Sequence, residues 1–135
     1  MNTSVRNDLS LLLVEENDMV RESLRNWITL MFPDVRLIEA PDHSAGIDLS
    51  GSESPDVVLM DISGLGRGGI QMVRGMKTAH PTALILTLVA LEHESYRRAV
   101  LKAGAEACAC IWRIRSELLP QLEENLEPAW ASGNP

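Results

Sequence analysis

Five short apolar runs, each followed by an amphipathic stretch, divide the chain almost from end to end. The runs are Leu9–Val14 (LSLLLV), Val35–Ala40 (VRLIEA), Asp56–Met60 (DVVLM), Ala83–Val89 and Ala107–Trp112. They are continuous rather than alternating, so they read as strands buried on both faces. Between them the spacing turns helical. Asn17 or Asp18 caps a first helix in which Val20, Leu24, Trp27, Ile28 and Met31 recur on one side, and Pro33 ends it. His43–Leu49 reads as a short helix before a Ser- and Gly-rich loop, Ser50–Pro55. Gly64–Gly69 is a glycine loop, and Ile70–Lys77 is helical with Ile70, Val73 and Met76 on one face. Glu92–Ala103 is a polar-faced helix that stops at Gly104, and Ser116–Leu126 closes the pattern. Strands alternating with helices imply right-handed crossovers and a doubly wound parallel five-stranded α/β sheet covered on both faces. The domain spans 9–126, with a polar, flexible segment at 1–8 and a tail or linker stub at 127–135.

A chain of 135 residues fits one domain, and 45 % apolar content is ordinary for a globular core. Twelve Lys and Arg stand against 19 Asp and Glu, a net charge of −7. That balance argues against direct nucleic-acid binding and against docking on an anionic membrane. No apolar run approaches the roughly 20 residues that span a bilayer. The polar N-terminus lacks the apolar core of a signal peptide. Cys108 and Cys110, two apart in an apolar run, read as small buried residues in a reducing, cytoplasmic setting and carry no metal spacing.

In parallel sheets, ligands bind at the carboxyl ends of the strands. Glu15 and Glu16 directly follow the first strand and Asp61 the third. Sheets of this kind commonly set those two strands side by side, so the three carboxylates are expected to converge. Crowded acids raise one another's pKa, and a hard divalent cation relieves the repulsion. Mg²⁺ suits one or two carboxylates, a carbonyl and waters, and the Ser63 carbonyl is well placed to join them. A carboxylate beside Mg²⁺ can also take up a phosphoryl group as a nucleophile.

On these residues the chain resembles a response-regulator receiver domain of two-component signalling. The matching segments are LLLVEEND at 11–18, DVVLMDISGLGRGG at 56–69 and LKAGAEACACI at 101–111, supported by PDVRLIEA at 33–40 and HPTALILTLV at 80–89. The resemblance covers about residues 9–126 and implies a (βα)₅ flavodoxin-like fold. It implies Asp61 as phospho-acceptor, Glu15 and Glu16 as the acidic pair for Mg²⁺, and Ser63 as a carbonyl ligand. A histidine kinase or phosphotransfer protein is the implied partner. A homodimer through the fourth helix, fifth strand and fifth helix is a further implication, with Arg97 and Arg98 on that surface. No catalysis of its own beyond phosphate uptake is expected of the chain. The FPDVRL segment is similar to receivers placed ahead of a helix-turn-helix effector.

The chain departs from the family at its switch positions. The hydroxyl that bonds the phosphoryl oxygen falls at Val89, the pairing lysine at Ile111 and the aromatic switch residue at Cys108. Valine cannot donate a hydrogen bond, and removing the cationic partner of a desolvated anion costs about 2–5 kcal/mol. The chain's two lysines, Lys77 and Lys102, lie on expected helices, which leaves Arg113 or Arg115 to reach back to the acids. Thr87 lies deeper on the face of Val89. The acidic pair is Glu-Glu where the family usually has an Asp. The reading is therefore an atypical receiver with weak or decoupled phosphorylation; the alternative is a phosphorylation-independent pseudo-receiver acting in protein interaction.

Other features have competing readings. Gly64-Leu65-Gly66-Arg67-Gly68-Gly69 matches G-x-G-x-x-G, which raises dinucleotide binding, but it follows the third strand rather than the first. An aspartyl-phosphate hydrolase would want a second acid where Ser63 stands. His43, His80 and His93 are expected on the surface. Trp27 is expected in the core, and Trp112, at the end of the fifth strand, or Trp130, in the tail, as an interface anchor.

Overall fold

The computed structural model describes residues 9–49, 54–90 and 93–132. The expected flexible segment at 1–8, most of the loop at 50–55, residue 92 and the tail end at 133–135 lie outside the described residues. The strands are β1 (Ser10–Val14), β2 (Arg36–Ala40), β3 (Val57–Asp61), β4 (Leu84–Val89) and β5 (Ala107–Cys110). All are parallel, in the order β2-β1-β3-β4-β5, so β1 and β3 are neighbours as expected.

The helices are α1 (Asp18–Met31), α2 (His43–Asp48), α3 (Arg67–Ala79), α4 (Glu94–Ala103), α5 (Leu119–Asn125) and α6 (Ala129–Ser132). Asn17 caps α1, its side chain accepting from Val20 N–H at 2.9 Å. Asp42 caps α2 in the same way, through Ala45 N–H at 2.8 Å. Gly104 ends α4 at φ +130°, a backbone shape that suits glycine. Among the described residues, no helix is long and apolar enough to cross a membrane.

The pleat divides the core in two. Leu12, Val14, Val58, Met60, Ile85 and Val89 face α2, α3 and α4, where Val73, Met76 and Val100 meet them. Leu11, Leu13, Leu59, Leu86 and Leu88 face the other way, onto Leu24 and Ile28 of α1 and Leu118 and Leu122. Each buried leucine contributes about 2 kcal/mol of transfer free energy.

Several expectations are corrected. The fifth strand ends at Cys110, not Trp112, and the chain continues as a 3₁₀ turn over Ile111–Arg113 and a wider π-type turn over Ile114–Leu118. A regular helix from Ser116 is ruled out by Pro120, which has no N–H to give the carbonyl four residues back and clashes with it. Proline is tolerated instead in the first turn of α5. Helix α3 starts at Arg67, so Gly68 and Gly69 are helical rather than loop. The described part of α4 starts at Glu94. His80 is not a surface residue. It is 3 % exposed, and its Nε2 lies 3.1 Å from the Gly46 carbonyl, tying α3 to α2. His43 is half-buried against α3, and only His93 is exposed. Trp27 is partly buried, whereas Trp112 and Trp130 are exposed. Residues 129–132 of the expected tail are a helical turn.

Leu59, with no exposed surface in the central strand, is a sensitive test of this packing. Leu59→Ala is expected to lower the unfolding free energy by about 2–5 kcal/mol, read by urea denaturation followed by circular dichroism.

Candidate functional site

The site follows from strand register. Val14 pairs with Met60, so the next residues, Glu15 and Asp61, stand level at the carboxyl edge. Glu15 continues the side of the pleat used by Leu11 and Leu13, and Asp61 that of Val57 and Leu59. The two carboxyls lie close enough that Asp61 helps to raise the pKa of Glu15. Glu15 is 5 % exposed. Its Oε2 accepts the Asn17 N–H at 3.1 Å, while Oε1 is buried with no partner. Asp61 Oδ1 accepts the Ser63 N–H at 2.9 Å, which curls the chain over the acid, and the Ser63 hydroxyl is buried without a partner.

Glu16 takes the opposite side, because successive residues leaving a strand alternate. It is exposed and lines a cleft of about 80 Å³ with Asp61, Asp42, His43, Val14, Met60, Leu65 and Met72. The acids thus gather as two pairings around Asp61. Among the described residues, no group of three His, Cys, Asp or Glu is arranged to hold a metal ion. The donors that do meet are oxygens, and Glu15 Oε1 is an orphaned acceptor facing a second carboxyl. This chemistry fits a hard cation gripped by one or two carboxylates and otherwise by water.

Burial first, and the neighbouring Asp61 carboxyl second, push the Glu15 carboxyl up to about 7, against the opposing pull of the Asn17 N–H. His43 is held below its ordinary value by burial, and its Nδ1 has no partner.

No cation answers Asp61 among the described residues. Arg113, expected to reach back, instead donates to Glu117 Oε2 at 2.6 Å. Glu117 Oε1 also accepts the Cys110 N–H at 2.8 Å and lies 3.9 Å from Arg97; the Arg113 hydrogen bond first, and the Cys110 N–H after it, hold this carboxylate below its usual range. Arg115 lines a separate cavity with Ser23, Leu24, Trp27 and Ile114. Arg21 does approach the acids, but it is committed to the Glu15 carbonyl at 2.8 Å, to Asp18 and to Glu39. Val89 is fully buried in the core, Ile111 is half-buried in the 3₁₀ turn, and Thr87 donates to the Ala107 carbonyl at 3.0 Å. Cys108 lies opposite Thr87 in register, and Cys110 Sγ donates to the Ala90 carbonyl at 3.2 Å.

Sequence reasoning missed Asp42, His43 and Tyr96. Asp42 lies two residues past β2, and the rule of strand carboxyl ends would have found it. Tyr96 leaves a fainter signal in the glycines. Gly64 and Gly66 have φ +75° and +55° and form the turn after Asp61. A Cβ on Gly69 would lie 2.6 Å from the Tyr96 hydroxyl and 3.0 Å from Ile62 Cβ. Turn geometry and the approach of Tyr96 therefore account for all three glycines of the G-x-G-x-x-G pattern.

Comparison with known proteins places this geometry in context. Residues 11–109 match the family described as the response regulator receiver domain. The transcriptional regulatory protein DegU of Brevibacillus brevis is 29 % identical over 107 residues, 78 % of this chain and 45 % of that protein. The transcriptional regulatory protein LiaR of Bacillus subtilis is 33 % identical over 100 residues, 72 % of this chain and 46 % of that protein. The chain thus spans under half the length of these relatives. A crystal structure of a LuxR-family two-component response regulator from Aurantimonas is 27 % identical, with a TM-score of 0.73 over 85 % of this chain and 82 % of that one.

The Glu15 carboxyl has a thermodynamic consequence. Its value rises from 4.5 to about 7 on folding, so between those values the folded state holds more protons than the unfolded chain. Stability is therefore lost as pH rises through that window, by on the order of 2 kcal/mol from this group. Glu15→Gln is expected to match wild type near pH 4.5 and exceed it by that amount at pH 8, in urea titrations with EDTA present. Equal stabilities at pH 8 would show that Glu15 ionises freely.

Proposed function

The chain belongs to the response regulator receiver domain family, and from that premise we propose that it accepts a phosphoryl group on Asp61 and holds it weakly. The observation that carries this reading is the meeting of Glu15 and Asp61, level on adjacent strands, beside a cleft that Glu16 also lines. The donor is a phosphohistidine on a histidine kinase or phosphotransfer protein. An Asp61 carboxylate oxygen attacks the phosphorus, the P–N bond breaks, and the imidazole leaves with the bonding pair. Ser63 N–H fixes one carboxylate oxygen and so orients the nucleophile. Asp61 with Glu15 or Glu16, the Ser63 carbonyl and waters would hold Mg²⁺. When bound, the ion neutralises phosphoryl charge and keeps both facing carboxyls ionised.

Weak retention follows from the surroundings. Val89, buried in the core, stands at the position where the family carries the hydroxyl, and among the described residues no lysine is placed beside Asp61. Arg113 is paired with Glu117 and Arg115 lines another cavity. The same facts favour a second reading, a receiver that works by protein contact without phosphate. Leu101 and Trp112 are exposed on α4 and just past β5, and a homodimer through α4, β5 and α5 would cover them.

Acetyl phosphate with Mg²⁺, read by intact mass, separates the two. Partial phosphorylation is expected for wild type and none for Asp61→Ala. Occupancy should rise severalfold in the double variant Val89→Thr, Ile111→Lys. If wild type and even the double variant stay unlabelled, the contact-only reading stands.

A further inference from the structure

The switch positions 89 and 108 hold an aliphatic and a thiol, yet one hydrogen bond runs from the loop after Asp61 to the outer helix α4. The Tyr96 hydroxyl donates to the Gly66 carbonyl at 2.7 Å. That carbonyl also accepts the Gly69 N–H at 3.0 Å, the first turn of α3. Gly66 therefore joins three parts: the loop over Asp61, the start of α3, and α4. The loop is short and directly coupled to the acid. Ser63 N–H is bonded to Asp61 Oδ1, Leu65 lines the cleft beside Asp61, and Gly66 comes next. At the other end the Tyr96 ring packs against the core face under α3 and α4, so a shift of its hydroxyl is a shift of α4. The glycine at 69 keeps the approach open, since a Cβ there would lie 2.6 Å from the phenol oxygen.

We propose that Tyr96 is the positioning residue that couples the Asp61 loop to the α4 face, through its hydrogen bond to the Gly66 carbonyl. This takes the place of transmission along β4 and β5. It rests on reading Asp61 as the site whose occupancy is signalled, but the mechanical link is independent of phosphate. Losing the Ser63–Asp61 bond, or drawing that loop onto an anion, moves Gly66, and Tyr96 carries the movement into Arg97–Ala103.

The test uses ¹⁵N-labelled full chain. Asp61→Ala removes the acceptor of Ser63 N–H and perturbs the loop without any ligand. In the Tyr96 background its amide shifts are expected to extend from 62–69 into 94–103. In the Tyr96→Phe background they should stop at the loop. Equal propagation into α4 in both backgrounds overturns the inference. Hydrogen exchange gives a second reading. Tyr96→Phe should speed exchange of Gly69 and of the α4 amides together, by about three- to tenfold for one lost hydrogen bond. Acceleration in one segment alone overturns the coupling. Gly69→Ala, which closes the approach while keeping the phenol, should reproduce Tyr96→Phe. Beryllofluoride with Mg²⁺ forms a separate arm. Shifts absent around Asp61 there sink the phosphoryl reading and leave the Asp61→Ala result to decide the coupling.

Discussion

Two carboxyls face each other at the carboxyl edge of the central strands, and the rest of the site is arranged around that contact. It is imposed by parallel register. Once Val14 sits opposite Met60, the residues that follow must stand level, and both here are acids. Neither can turn away easily, because each continues the side of the pleat that packs beneath α1 and α5. Burial, and after it the neighbouring Asp61 carboxyl, push the Glu15 carboxyl up to about 7.

The surroundings do not complete that charge balance from within the protein. Arg21 spends its donors on the Glu15 carbonyl, Asp18 and Glu39. Arg113 is bound by Glu117, which also receives the Cys110 N–H and thereby pins the chain where it leaves β5. A cation engaged in a short ion pair has little reason to leave it for a solvated anion. The same pairing ties the irregular segment between β5 and α5 to the end of β5.

Much of this was legible beforehand. Five apolar runs alternating with helical spacing lead to the doubly wound sheet because helices between parallel strands cover both faces of the sheet. The Asn17 cap and the Gly104 stop depend on local backbone chemistry, and they stand where reading placed them. Errors fell where distant segments compete. Pro120 broke an apparent helix into 3₁₀ and π turns, a local signal that apolar spacing masked. His80 looked like a surface residue because its partner, the Gly46 carbonyl, is 34 positions away. Arg113 looked free because Glu117 was not weighed as its partner.

The sequence by itself determined the sheet, its helices and the identity of the acids at its edge, since these depend on the period of apolar residues and on which residue follows each strand. Only the tertiary structure decided how those acids divide, with Glu15 against Asp61 and Glu16 across the cleft, because pleat direction at a strand end is settled by packing on both faces. It also decided that Tyr96 reaches Gly66, a contact across 30 residues. Side chains that meet only after the chain has closed leave no periodic trace in its order.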